Sequence, residues 1–208
     1  APCPHDRCAA RADHLQRVAA TYGGGTVAAC FSEPIAGSTG VLVPPKGYLE
    51  RLREICDAHG ILLVFDEVIC GFGRTGKAFA AQSFGVTPDI ITMAKALTNG
   101  AVPMGAVAVN DEIYDTVVNA APEGAIELFH GYTYSGPPTA CAAGLAALEI
   151  YEKENLFERA ADLSPYFQDQ VFSLRDLDVV TDIRGYGLIA GIDIAVGDAP
   201  GQRGTQLQ

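Results

Sequence analysis

The chain has 208 residues, 49% apolar and 19% charged, a balance that belongs to folded globular proteins and excludes a disordered or fibrous chain. A formal net charge of −11 argues against nucleic acid as a main partner, because a phosphate backbone demands clustered Lys and Arg. No apolar run reaches the ~18 residues of a membrane span, and no basic amphipathic stretch points to a membrane surface.

The N-terminal stretch APCPHDRCAARADH is polar and mixed, unlike a signal peptide, and carries no initiator Met, so we expect a chain that starts inside a longer protein. Cys3, His5, Asp6 and Cys8 form a small group of ligand-type side chains, but no second group completes a four-ligand set. We read it as a solvated loop and expect no metal. The other cysteines are Cys30, Cys56, Cys70 and Cys141, all inside apolar patterns, and none of the six forms a C-x-x-C pair. That usage fits reduced thiols in a cytoplasmic enzyme.

Residues 26–32 form a short apolar run, a strand that ends at Glu33-Pro34, and a Gly/Pro-rich loop follows. Residues 47–59 read as an amphipathic helix with Leu49, Leu52, Ile55 and Cys56 on one face, stopped by His59-Gly60. The continuous apolar run ILLVF at 61–65 predicts a central parallel strand ending at Asp66-Glu67. Residues 90–93 predict a third strand ending near Lys95, and GAVAV at 105–109 a fourth. Strands separated by helices imply an α/β fold with a mostly parallel sheet. Two helices are predicted at 140–151 and 156–174, then two strands at 179–183 and 188–194 around Arg184-Gly185-Tyr186-Gly187. We therefore expect residues 1–138 to be the later part of a large domain. Residues 139–208 are expected to be a linking helix and the start of a small, truncated α+β domain.

Glu33, Asp66 and Lys95 each close a buried-looking strand, and ligands of open parallel sheets bind at the carboxyl ends of strands. A partly desolvated lysine is a nucleophile toward an aldehyde. A carboxylate facing a pyridine nitrogen keeps the ring protonated, so that the ring draws electrons from a substrate carbon. Asp66 and Lys95 suit these two tasks, with Lys95 free to move protons once substrate displaces it and Val68 placed to pack against the ring. Taken alone, Asp66-Glu67 also reads as a helix cap and Lys95 as a surface lysine.

Gly71-Phe72-Gly73-Arg74-Thr75-Gly76 is formally G-x-G-x-x-G, the fingerprint of an NAD-binding dehydrogenase. Asp66 and Glu67 would repel a pyrophosphate there, and the helix that follows is short. We read the glycines as keeping a loop close to a cofactor floor.

Three segments carry a resemblance: residues 32–76, from SEPIAGSTG to FDEVICGFGRTG, then FGVTPDIITMAKALTNGAVPMGAV, then HGYTYSGPPTACAAGLAAL. Together they resemble the class III aminotransferases of the fold type I pyridoxal-phosphate enzymes, with TNGAVPMGAV and HGYTYSG similar to the β-alanine (ω-amino acid):pyruvate subgroup. The resemblance implies pyridoxal 5'-phosphate as cofactor and transfer of an amino group from an ω-amino acid or amine to pyruvate or a related oxo acid. It implies Lys95 as the Schiff-base lysine, Asp66 against the pyridine nitrogen and Val68 on the ring. Thr133, with the backbone of Tyr132, would bind the cofactor phosphate of a neighbouring subunit, which implies a homodimer or an assembly of dimers. Glu33 would sit near the substrate pocket and Thr98-Asn99-Gly100 at the dimer interface. Pro137 stands where the family has a non-proline residue, and a loop reshaped by a residue without an N–H is expected there. The family's Gly-Ser phosphate cup, its ring-stacking aromatic residue and its substrate-carboxylate arginine have no counterpart in the chain. An aminomutase or decarboxylase on the same scaffold, the dehydrogenase, and a non-catalytic fragment with exposed apolar surface remain as alternatives.

Overall fold

The computed structural model describes residues 11–130 and 132–195. The Cys3/His5/Asp6/Cys8 group lies outside the described residues. Among the described residues no group of three or more His, Cys, Asp or Glu is placed to hold a metal. No described helix is long and apolar enough to cross a membrane.

A four-stranded sheet carries the fold. Its strands are β1 (Ala29–Ser32), β2 (Leu62–Asp66), β3 (Ile90–Met93) and β4 (Ala106–Val109), side by side in that order. The first three run parallel, as the apolar runs predicted. The fourth runs antiparallel to β3. Twelve residues, 94–105, join β3 to β4, just the minimum for a parallel crossover, which is usually made by an α-helix. That connection holds a single 3₁₀ turn, Lys95–Leu97, so the chain doubles back.

Strand alternation sorts β2 into two faces. Leu63 and Phe65 are fully buried against the first two helices, α1 (Asp13–Tyr22) and α2 (Tyr48–His59). The α2 stripe is the predicted one: Leu49, Leu52, Ile55 and Cys56 are all buried. Burial of each of the three aliphatic side chains stabilises the fold by roughly 1.5–3 kcal/mol. Gly60 ends α2 in the left-handed conformation, with its N–H on the Cys56 carbonyl. His59 takes a structural partner, Gln16 Nε2 at 2.9 Å. On the opposite sheet face Val64 is buried, while Phe31 (73%) and Val107 (64%) are exposed.

Two further helices flank this sheet, the short α3 (Ala80–Phe84) and α4 (Asp111–Asn119), which Asn110 caps through its side chain. The last part of the chain holds α5 (Pro138–Lys153), α6 (Leu156–Phe172) and an antiparallel pair, β5 (Val180–Tyr186) and β6 (Ile189–Ile194). The hairpin turn falls at Gly187-Leu188, later than predicted. Arg184, Gly185 and Tyr186 continue β5, because Gly185 serves close packing of the Gln168 side chain of α6 and not a bend. Arg184 pins the pair to the loop after β1 by donating to the Gly40 carbonyl at 2.8 Å.

Candidate active site at the carboxyl end of the sheet

The strand register brings the predicted residues to one end of the sheet. Ser32 pairs with Phe65, so Glu33 comes level with Asp66, and Asp66 pairs with Thr92, three residues before Lys95. The ladder extends one step further, with Glu67 N–H donating to the Thr92 carbonyl at 2.9 Å.

Asp66 and Glu67 have separate fates. Asp66 is half-buried, and its Oδ1 accepts the Val68 N–H at 3.0 Å. That bond fixes the carboxylate and leaves Oδ2 for another donor. Glu67 is fully buried and accepts from Ala80 N–H at 2.6 Å and Ala81 N–H at 2.7 Å, capping α3. Burial pushes the Glu67 carboxyl above its usual range, against the opposing pull of the two backbone donors. The helix-cap role thus belongs to Glu67 and leaves Asp66 available for chemistry.

Lys95 is exposed and has φ +45°, the left-handed region that few non-glycine residues enter. Such a conformation costs about 1–3 kcal/mol and persists only where the surroundings enforce it. Asn99, four residues on, is also left-handed at φ +51°. Thr98 is buried and donates its hydroxyl to the Val102 carbonyl at 2.6 Å.

Beside the strand ends lies an open cleft of about 870 Å³, lined among others by Val68, Met93, Ala94, Met104, Val107 and Tyr132. Its size falls within the ~300–1,000 Å³ of small-molecule sites. Val68 and Tyr132 are the predicted residues that share this wall; Ala94 reaches it immediately before Lys95. Thr133 is exposed in the turn closed by Ser135 N–H on the Tyr132 carbonyl, and it does not line the cleft. Glu33 turns to its own loop, its Oε2 accepting the Gly37 N–H at 2.9 Å. Pro137 does not distort the entry to α5. Its φ of −63° suits the cap position, and its carbonyl accepts from Ala140 and Cys141 while Pro138 opens the helix. A smaller cleft of about 580 Å³ at the other end of the strands is lined by Arg53 and Asp89, which pair with each other at 2.8 Å.

These positions fit pyridoxal 5'-phosphate. Asp66 offers a free carboxylate oxygen held in place by a backbone amide, Val68 offers an apolar wall, and Lys95 stands at the adjoining strand end. They do not fit a dinucleotide. Gly73 and Gly76 of GFGRTG pack against α6, where a Cβ on Gly73 would stand 3.1 Å from the Phe157 ring and one on Gly76 3.1 Å from Ala161 Cα, while one on Gly71 would stand 2.9 Å from the Glu67 carbonyl oxygen. Gly73 and Gly76 therefore answer to helix packing, and Gly71 to the close approach of the Glu67 carbonyl, rather than to a cofactor floor. The amides that open α3, where a pyrophosphate would bind, are already taken by Glu67.

Two residues, His130 and Tyr151, escaped the sequence reading, and the cap role it left open between Asp66 and Glu67 falls to Glu67. Glu67 could have been found from the period-2 alternation, which turns it away from Asp66. His130 lines the cleft with its ring tilted against Tyr132, centroids 4.6 Å apart, and HGYTYSG was its one signal. Tyr151 donates to the Ala96 carbonyl at 2.6 Å from a helix 55 residues away, a distance no local pattern spans.

Comparison with known proteins identifies the family. Residues 2–201 match the family described as aminotransferase class-III. An omega-aminotransferase of Caulobacter vibrioides is 61% identical over 183 residues, covering 88% of this chain and 42% of the relative. An omega-amino acid–pyruvate aminotransferase of Pseudomonas putida is 54% identical, covering 94% of this chain and 44% of the relative. The chain thus spans less than half the length of these curated relatives. A crystal structure of an (S)-enantioselective omega-transaminase from Thermomicrobium roseum superposes with a TM-score of 0.85 at 40% identity, over 92% of this chain and 42% of that one. The sheet and helices described above are therefore those of the fold type I transaminases, whose class III members depend on pyridoxal phosphate. With the match running through nearly all of its length, the chain belongs to the class III aminotransferase family.

Proposed function

We propose that the whole protein carrying this chain is a transaminase that moves an amino group from an ω-amino acid or amine, such as β-alanine, to pyruvate or a related oxo acid. The observation that carries this proposal is the strand register, which gathers Glu33, Asp66 and the turn of Lys95 at one sheet end. The printed functions of the relatives support the choice of donor and acceptor. Bound at that end, pyridoxal 5'-phosphate supplies an aldehyde for a lysine amine and a ring that draws electrons from the substrate carbon.

In this scheme Lys95 holds the cofactor through Nζ and, when substrate displaces it, takes and returns the proton at the substrate carbon. Asp66 accepts from the protonated ring nitrogen through the oxygen that Val68 N–H leaves free. Val68 packs against the ring. Thr133 and the backbone of Tyr132 bind the cofactor phosphate of a neighbouring subunit in a homodimer or larger assembly, with residues 98–100 at the interface. Glu33 lies near the substrate pocket. Residues 1–138 belong to the large domain and 139–208 to the linking helix and small domain of a cytoplasmic enzyme.

The test is covalent. The protein is mixed with pyridoxal 5'-phosphate, fixed with borohydride and mapped by peptide mass spectrometry, beside Lys95→Ala. The label is expected on Lys95, with β-alanine:pyruvate transfer reduced about 10²–10⁴-fold or more in the variant. A label on another lysine, or full transfer by Lys95→Ala, refutes the assignment.

A further inference from the structure

We propose that Tyr151 is a positioning residue for Lys95: its hydroxyl holds the strained turn that sets how the lysine leaves the sheet end. This rests on the assignment of Lys95 as the cofactor lysine. The turn is unusual at both ends. Lys95 and Asn99 are non-glycine residues in the left-handed region, at φ +45° and +51°. Ala94 before them has φ −160° and ψ −146°. A backbone of this kind relaxes unless something over-determines it.

Within the turn, Leu97 N–H donates to the Ala94 carbonyl and Thr98 N–H to the Lys95 carbonyl, ordinary 3₁₀ bonds that would tolerate a relaxed form. Tyr151 is the clamp from outside. Its hydroxyl donates to the Ala96 carbonyl at 2.6 Å and accepts from Asn99 Nδ2 at 2.9 Å. One phenol thereby grips the carbonyl of the residue that follows Lys95 and the side chain of the second left-handed residue. Donor and acceptor capacity are both used. The ring is itself fixed: Tyr151 is buried and stacks between Phe72 at 5.8 Å and Phe157 at 5.3 Å. Phe72 belongs to the loop after β2, two residues beyond Cys70, and Phe157 to α6. The stack therefore references the lysine turn to the strand that carries Asp66.

Tyr151→Phe keeps the stack and removes the clamp. In the holoenzyme we expect pyridoxal 5'-phosphate to bind about three- to tenfold more weakly, the effect of one lost hydrogen bond. At saturating cofactor, the visible circular dichroism per bound cofactor should fall by half or more, while the far-ultraviolet spectrum stays unchanged. That visible signal reports how asymmetrically the cofactor is held, which a purely structural role would leave alone. Asn99→Ala, which removes the donor to the same hydroxyl, should move both readouts in the same direction and serves if Tyr151→Phe does not fold. Wild-type affinity and dichroism in a folded variant overturn the inference. Lys95→Ala separates the two levels: if borohydride fixes the cofactor as well in that variant, the lysine assignment itself fails. If Lys95→Ala loses the label while the Tyr151 and Asn99 variants match wild type, only the positioning role fails.

Discussion

Replacing Glu67 tests how the strand end is built. Its two oxygens accept from Ala80 and Ala81 N–H at 2.6 and 2.7 Å, and all three residues are buried. Glu67→Ala leaves two amide donors without acceptors in the core, at about 1–3 kcal/mol each. Removing a buried carboxylate returns part of that, so a net loss of about 2–4 kcal/mol is expected. Helix α3 has five residues and little stability of its own, so it should fray with the cap. Glu67→Gln keeps one acceptor and should recover part of the loss. Urea unfolding at neutral pH measures both variants. A loss under about 0.5 kcal/mol for Glu67→Ala would refute the cap.

The pH dependence has a definite sign. Burial raises the Glu67 carboxyl above its unfolded value. Between the two values the folded state binds more protons than the unfolded state, so stability falls as pH rises. The contribution is fully present below the unfolded value, near ~4.3, and is gone above the folded one. Wild type should show this downward slope with rising pH just above the ordinary glutamate range, and Glu67→Gln should lack it.

Two shorter predictions concern packing and thiol chemistry. Gly187→Ala would place a Cβ 2.5 Å from the Arg74 carbonyl oxygen at a residue with φ +59°, so a destabilisation of about 1–3 kcal/mol is expected by thermal or urea unfolding. An unchanged midpoint would show that the β5–β6 turn sits elsewhere. The neighbouring Cys56 thiol pulls the Cys30 thiol below the ordinary thiol range, so the pH midpoint of Cys30 alkylation by iodoacetamide should lie below that of a free thiol. Cys56→Ala should move that midpoint up toward the ordinary thiol range, and a midpoint unmoved by the substitution would sink the pairing.

Much of the scaffold was legible because its signals are local. The run ILLVF and the stripe of Leu49, Leu52, Ile55 and Cys56 place β2 and α2 to within a residue or so. The direction of β4 was not read from its own residues, GAVAV, since direction is decided by the connection, and residues 94–105 hold one 3₁₀ turn and no α-helix to carry a crossover. The β5–β6 turn was misplaced because glycine has two uses. Gly187 turns the chain at φ +59°, whereas Gly185 stays in the strand and makes room for Gln168. Tyr151 and the partners of Glu67 were invisible for a simpler reason: their bonds span 55 and 13–14 residues.

The adjacent carboxylates at the end of β2 show how local rules still carry into chemistry. Read as a pair, Asp66-Glu67 is ambiguous between a helix cap and a cofactor contact. Strand geometry removes the ambiguity, because neighbouring side chains in a strand leave by opposite faces. One carboxylate must follow Leu63 and Phe65 into the core, where a buried charge is tolerable only with donors. Ala80 and Ala81 supply them to Glu67. The other must follow Val64 to the face that bears the cleft, and there a backbone amide steadies one oxygen of Asp66 and leaves the second free. Exchanging the two residues would put the longer side chain on the cleft face. The shorter aspartate would then have to span the gap to α3, so Glu67 and Asp66 are not interchangeable although both are acids.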